Sequence, residues 1–336
     1  MSKLSVIIHR ASTASLKRFR NNINVVHKES GKSKLSLFSD MVYCVFRYGI
    51  GYLDYNIFGF AFIGKDKRKT YVTMKENIEL VRRLNKREAY EILDNKLLFN
   101  QTFKDFIKRD FVDLRDGFDG FEAFLAGKDT FFAKQLDSFG GLGVRKVRLA
   151  QHPDRKKLYE ELMQAEMFLA EGEIVQHPEM CRPCPQALNT MRITTIVNDK
   201  HQAKVLYVIF RVGNGKSDVD NATSGGMYTM PDETGTVRYP FFCDKTAETY
   251  TVHPNNGFPF KGFQIPYYKE ALELCQQAAF VVPELRYIGW DVGISSDGPV
   301  LVEGNNLPGY DMPQNHLFNP SGIGMKAVYE AAIQGT

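Results

Sequence analysis

Two acids and an amide near the C-terminus carry the clearest chemical signal in this chain. Tyr287-Ile-Gly-Trp-Asp291-Val-Gly-Ile has the texture of a strand, Ser295-Ser-Asp-Gly298 that of a turn, and Pro299-Val-Leu-Val-Glu303-Gly-Asn305 that of a second strand. Residues two apart on a strand face the same side, so Glu303 and Asn305 point together. In a hairpin Asp291 lies beside them, and three oxygen donors converge. A hard oxygen set of this kind suits Mg²⁺, which keeps waters and shares substrate phosphates. Acids on a hairpin often merely decorate a solvated face. The apolar flanks Ile288, Val292, Val300 and Val302, with the trailing amide, argue against that here.

Three further clusters precede it. In Lys134-Gln-Leu-Asp-Ser138-Phe-Gly140-Gly141-Leu-Gly143-Val-Arg-Lys146, an apolar strand delivers Lys134, a glycine-rich loop follows, and another strand carries Lys146. Glycines let backbone amides approach phosphate oxygens, and the lysines supply positive charge. The loop is neither a Walker A loop nor a GxGxxG opening a helix. Alone it is equally a hairpin turn. Phe168-Leu-Ala-Glu171-Gly-Glu173-Ile174-Val-Gln176-His177-Pro178 ends an apolar segment in acids, which suits an exocyclic amine, with backbone groups for a purine edge. Asn189-Thr-Met-Arg192 leads into an apolar strand, and the next strand ends at Arg211. Arginines at strand ends facing one cleft hold a γ-phosphate or an acyl phosphate. Surface hairpins and ion-paired arginines are the plainer readings of these three clusters taken singly.

The elements that must position these groups differ along the chain. Residues 1–110 read as a mostly helical region, with Met74 to Lys96 spacing Ile78, Val81, Leu84, Tyr90 and Leu93 at helical intervals. Leu16 to Lys34 is basic and polar, an exposed helix and loop. From about Phe118 glycines multiply and short β-branched or aromatic runs appear at 131–134, 144–149, 191–197, 203–211 and 300–302, with helical patterns at Arg155 to Leu169 and Tyr268 to Ala279. This alternation argues for an α+β or α/β organisation. There is no internal repeat.

Composition narrows the class. With 43% hydrophobic and 24% charged residues the chain is an ordinary globular one, and a net charge of +4 is too mild to argue for nucleic acid. Five cysteines, at 44, 181, 184, 243 and 275, form no framework and read as reduced thiols of a cytoplasmic protein. Cys181-Arg-Pro-Cys184 lacks the second CxxC of a zinc ribbon. The N-terminal apolar run is too short for a signal peptide. Met41 to Ile63 is interrupted by Arg47, Asp54 and Asn56, whereas a spanning helix needs about 20 mostly apolar residues. That stretch reads as an aromatic-rich packing surface or a loose contact with a membrane face.

Taken in order, these pieces resemble the ATP-grasp superfamily. More narrowly they resemble the sugar-transfer-associated ATP-grasp family, through Glu171…Gln176-His-Pro-Glu, Asn189-Thr-Met-Arg192, Arg211-Val-Gly, Val219-Asp-Asn221, Gly225-Gly226 and Gly289-Trp-Asp291…Asp297-Gly-Pro…Glu303-Gly-Asn305. The resemblance covers roughly residues 70–330. It implies the α+β ATP-grasp fold over residues 111–335, two α+β subdomains sandwiching ATP (111–180 with the glycine-rich lid, 181–335 with the Mg²⁺ site), after a helical N-terminal region over residues 1–110. It further implies that Lys134 and Lys146 hold the α- and β-phosphates and that Ser138 to Gly143, with Gly140 and Gly141, close over them. Glu171 would meet the adenine amine, with the backbone near Ile174 on the ring edge. Glu171-Gly-Glu173 departs from the pattern by offering two acids, so Glu173 is the alternative. Asp291, Glu303 and Asn305 would bind Mg²⁺, Arg192 would face the γ-phosphate, and Arg211, Asp220 and Asn221 would face the acyl acceptor.

The implied reaction is ATP-dependent joining of a carboxylate to an amine or thiol through an acyl phosphate, with release of ADP and phosphate. The partners are a small-molecule carboxylate and a nucleophilic co-substrate such as an amino acid, an amine or a sugar derivative. Glycan decoration or natural-product biosynthesis is the implied setting. A non-catalytic ATP-binding protein and a small-molecule kinase are the rival readings. The intact Asp291, Glu303, Asn305 set, which adenine binding alone does not need, weighs against the first.

Overall fold

The computed structural model describes residues 16–138, 143–215 and 225–335, with side chains placed from Phe19 onward. Helices occupy the first part: Leu16–Ser30, Lys34–Tyr48, Tyr52–Ile57, Met74–Leu84, Tyr90–Asp94, Lys96–Thr102 and shorter turns between them. The helix at Met74 starts on a capping box, in which Thr73 Oγ1 accepts from Glu76 N and Glu76 Oε2 accepts from Thr73 N. The helical periodicity of Met74 to Lys96 is broken at Asn85. Its side chain donates to the carbonyls of Tyr287 (2.7 Å) and Asn306 (3.2 Å) and accepts from Tyr287 N (2.8 Å), so a distant strand captures the residue that would continue the helix.

Two antiparallel sheets follow. Strands β1 (Phe111–Asp113), β2 (Thr130–Lys134), β3 (Val144–Arg148) and β4 (Leu169–Gly172) form a four-stranded sheet in the order β1-β4-β2-β3. Alternation puts Phe131, Ala133, Val147 and Ala170 on one face, where they pack on Phe121, Leu158 and Leu162 of the helices Phe118–Leu125 and Arg155–Gln164. The second of these helices stops at Gln164 instead of running to Leu169. Glu166 turns left-handed (φ 56°), and Leu169 opens β4. Lys134, Lys146 and Glu171 are left on the opposite face.

The larger sheet has seven strands in the order β11-β10-β5-β6-β7-β8-β9. They are β5 (Thr190–Val197), β6 (Ala203–Val212), β7 (Met227–Thr229), β8 (Phe241–Cys243), β9 (Glu248–Tyr250), β10 (Tyr287–Ser295) and β11 (Gly298–Asn305). The hairpin read from the sequence is formed. Both faces are covered, and so the strands read as nearly continuous apolar runs. On one face Ile193, Phe210, Trp290 and Val292 meet Ala271 and Cys275 of the helix Tyr268–Ala278, with Phe99 and Phe103 from the helical region. On the other, Tyr207, Ile209, Tyr228 and Tyr287 meet Tyr55, Phe58, Val81 and Leu84, together with Tyr329 of the C-terminal helix Lys326–Gln334. The mixed helix and antiparallel-sheet content is that of an α+β protein.

The segment joining the sheets is fixed by side chains. Gln176 Oε1 accepts from Asn189 N (2.6 Å), and Asn189 Nδ2 donates to the carbonyls of Met180 (2.7 Å) and Cys184 (3.0 Å). His177 N donates to Ile294 O on β10 (2.8 Å). All five cysteines are free.

Candidate functional site

A cleft lies between the edge strand β11 and the four-stranded sheet. Leu93, Asp94, Lys96, Phe99, Asn100, Lys134, Ser138, Glu171, Val302, Glu303, Gly304 and Asn305 line it. It is narrow: the space open to water inside it is about 70 Å³, well below the roughly 300–1,000 Å³ usual for small-molecule sites. Residues read from the two ends of the sequence therefore share one space: Lys134, Ser138 and Glu171 on one wall, Glu303 and Asn305 on the other.

On the first wall the two strand lysines, Lys134 and Lys146, each have a counter-charge. Glu171 is buried and receives Lys134 Nζ (2.5 Å), Arg109 Nε (3.1 Å) and Asn100 Nδ2 (2.7 Å). Burial pushes its carboxyl up, but the opposing pull of Arg109 and Lys134 prevails and holds it at about 2. Lys146 pairs with Glu173 (2.5 Å), which also accepts from Thr130 Oγ1. Burial of that carboxyl is likewise outweighed by its partners, so it titrates below the ordinary value. Glu171 reaches the cleft, whereas Glu173 and Lys146 stand outside its lining. Ile174 is half-buried in the extended segment between β4 and Gln176. Gly143 closes the base of the loop, its carbonyl accepting from Gln135 N (2.9 Å). Gly140, Gly141, Asp220 and Asn221 lie outside the described residues.

The second wall is built by register. Asp291 on β10 stands directly opposite Glu303 on β11 and Arg192 on β5, and Thr190, two residues before Arg192, pairs with Arg211 on β6. Strand alternation thus puts Glu303, Asp291, Arg192 and Arg211 on one face. Arg192 Nε and Nη2 donate to the two oxygens of Asp291, the latter at 2.9 Å, and Arg211 Nη1 adds a contact at 3.2 Å. Burial would raise the Asp291 carboxyl, yet the two guanidinium groups hold it well below the carboxylate range. Gly289 makes room for this pairing: a Cβ there would meet Arg192 Cδ at 3.2 Å. Trp290, between them, turns to the opposite face, where its indole donates to Thr195 Oγ1 (2.9 Å).

Glu303 stands across the strand pair from Asp291 and helps to hold its carboxyl low. Arg192 and Arg211 already supply the positive charge that offsets the repulsion between the two neighbouring carboxyls. Asn305 donates from Nδ2 to Gly289 O (3.5 Å) and lines the cleft beside Glu303. Glu303 and Asn305 offer the cleft oxygen donors of the kind that fit Mg²⁺, whereas both oxygens of Asp291 are engaged by guanidinium groups and Asp291 stands outside the lining. Among the described residues no group of three or more His, Cys, Asp or Glu gathers as a metal site, so Cys181 and Cys184 have no further ligand of those types.

Three side chains at the cleft or holding its wall escaped the sequence reading. Lys96 Nζ donates to the carbonyl and hydroxyl of Ser138 (3.1 Å to the latter), tying the helical region to the glycine loop. Burial depresses its ammonium to about 8, with Glu303 pulling the other way. Asn100 and Arg109 hold Glu171, and Arg109 also donates to Leu301 O (2.6 Å) and Val302 O (3.2 Å). Those carbonyls sit where a bulge between Asp291 and Val292 shifts the β10–β11 register. A signal for Lys96 was present. Asn95 caps its helix through Leu97 N and Leu98 N, which puts a lysine at the first helical position, where the helix dipole disfavours positive charge.

No curated protein matches the chain in sequence. Among solved structures, the D-alanine-D-alanine ligase from Coxiella burnetii is similar at 10% identity and a TM-score of 0.43, over 72% of this chain and 57% of that one. The ATP-grasp ligase PsnB, complexed with minimal precursor, is similar at 15% identity and a TM-score of 0.43, over 75% and 64%. The L-amino acid ligase from Bacillus licheniformis gives 15% identity and a TM-score of 0.42, over 73% and 48%. The chain thus spans between about half and two thirds of the length of each of these proteins. The sequence profile described as sugar-transfer associated ATP-grasp matches residues 75–324, which include every element of both sheets and both walls of the cleft. The chain belongs to the sugar-transfer associated ATP-grasp family.

Proposed function

We propose that this chain is a cytoplasmic, Mg-ATP-dependent ligase that activates a small-molecule carboxylate as an acyl phosphate and passes it to an amine or thiol. The observation that carries the reading is the single cleft with Lys96, Lys134 and Glu171 on one wall and Glu303 and Asn305 on the other. Ammonium groups beside a hard oxygen set match the charge of a nucleoside triphosphate. The domain division at residues 111 and 181 belongs to the same proposal.

In this reading Lys134, Lys146 and Lys96 meet the phosphates, Ser138 and Gly143 border them, and Glu171 faces the adenine amine with the backbone at Ile174 on the ring edge. Glu303, Asn305 and Asp291 hold Mg²⁺, which when bound neutralises phosphate charge during transfer. Arg192 engages Asp291 through Nε and Nη2, which leaves Nη1 for the γ-phosphate. Arg211 Nε is buried without a partner among the described residues, a donor suited to the acyl phosphate or acceptor. The substrate carboxylate oxygen attacks the γ-phosphorus and the β–γ bridging oxygen departs with ADP. The nucleophile then adds to the acyl carbon, loses its proton and expels phosphate. Asp220 and Asn221 stay on the acceptor side of this proposal. The setting is glycan decoration or natural-product synthesis.

The test is product analysis with ATP, Mg²⁺ and pools of amino acids and uronic acids. ADP and phosphate that depend on two added substrates, and fall by about 100-fold or more in Glu303→Gln, are expected. AMP and pyrophosphate, or a stable phosphorylated product, would overturn the reading. The second of these is the kinase outcome. ATP binding with no turnover from any pool would favour the binding-only protein.

A further inference from the structure

The helix Lys34–Tyr48 is apolar on two sides. Leu37, Met41 and Cys44 face inward and are buried. Leu35, Phe38, Val42, Val45 and Phe46 form a second stripe that faces out, with Leu35 77% and Phe46 87% exposed. Phe62 on the following turn adds to it at 51%. A helix apolar all round is ordinarily interior. Contiguous exposed apolar surface rimmed by polar groups marks an interaction site.

The patch is held rigidly. Ser33 caps the helix start and Gly49 its end. Asp40, on the inner side, is clamped by Arg68 through Nη1 (2.8 Å) and Nη2 (2.6 Å), and Arg68 also donates to the carbonyls of Phe60 and Ile63. The helix and the turn carrying Phe62 therefore form one unit.

Charge decides the occupant. The exposed charged residues of the helix itself are Lys34 and Arg47, both basic. Lys65 lies over the Tyr43 ring at 4.9 Å and Arg47 over Tyr48 at 5.5 Å, and Lys67 and Lys69 follow. The exposed acid in this stretch, Asp66, is paired with Lys69. A second copy of the chain docking patch to patch would set these basic rims against each other. A surface with an apolar interior and an anionic boundary satisfies both features.

We propose that this face docks on a bilayer containing anionic phospholipid, the helix lying in the plane of the headgroups with Phe38, Phe46 and Phe62 inserted and Arg47 and Lys65 against phosphate. Aromatic and basic residues on a helix with this division are what interfacial binding requires. No described helix is long and apolar enough to cross a membrane. The contact thus lies along the surface.

Flotation of the full chain with vesicles tests this, without nucleotide, so that its outcome is independent of the ligase reading. Binding is expected to phosphatidylcholine vesicles containing phosphatidylglycerol, weaker with phosphatidylcholine alone and weaker at high salt. Phe46→Glu is expected to lower the affinity by about tenfold or more, and Arg47→Glu with Lys65→Glu to remove the preference for phosphatidylglycerol. All three positions are exposed, so the variants should melt like the parent. Failure to float with the anionic vesicles, or flotation unchanged by both variants, overturns the proposal. A dimer in sedimentation velocity that Phe46→Glu dissolves, with no vesicle binding, would assign the face to a second copy instead.

Discussion

On the four-stranded sheet each lysine has a glutamate of its own, Lys134 with Glu171 and Lys146 with Glu173. On the seven-stranded sheet one aspartate, Asp291, is shared by two arginines and faced across the strand pair by a second carboxyl, Glu303. The first arrangement is exchangeable. A phosphate can draw a lysine away, and Glu171 still keeps Arg109 as its counter-ion. The second is a knot between paired strands, buried on both sides, whose members cannot part without leaving a charge alone in the interior. One wall is suited to exchange its partners for a ligand's charge, and the other to keep its pairs made while offering the donors they leave over.

The sharpest way to break this comparison is to remove the centre of the knot. Asp291→Ala leaves Arg192 and Arg211 buried without their anion and should cost about 3–5 kcal/mol in denaturant unfolding. A loss below about 1 kcal/mol would mean the wall is as exchangeable as the other. On the opposite wall Lys146→Met should change stability by no more than about 1 kcal/mol, because its pair with Glu173 is partly exposed. The same variant should weaken Mg-ATP roughly tenfold in calorimetry. Stability and affinity effects that move together there would contradict the exchange.

A smaller effect concerns Lys96. Its ammonium titrates near 8 in the free protein because burial disfavours the charge, so below that pH it is ready for phosphate. As pH rises through 8, binding must take up a proton, and ATP affinity should fall, by up to about tenfold per unit. Lys96→Met should show a weaker but flatter profile. An unchanged slope in the variant would assign the titration elsewhere.

Local pattern carried the sheet that matters most. The hairpin of β10 and β11 follows from alternation and the turn at Gly298, and the shared face of Glu303 and Asn305 from strand geometry alone. What escaped was set by contacts between distant residues. Arg109 and Leu301 are 192 positions apart, and Lys96 and Ser138 are 42. Arg192 and Asp291 were each visible as candidate site residues, but that they face one another depends on β5 pairing with β10 rather than on either strand's sequence. The interruption at Asn85 escaped for the same reason, since a strand edge captures its amide. The outward stripe of Leu35, Phe38 and Phe46 shares its helix with a buried stripe, and a periodicity argument cannot tell which one faces in.

Cys181 stands in the segment that joins the two sheets, with its sulfur against Gln176, and it is the one cysteine of the five that is not buried. The protein therefore carries a native attachment point for a thiol-directed fluorophore or spin label at the junction between its two walls. A single labelled species, made without adding or deleting any cysteine, would report on how far the walls move as a nucleotide enters between them.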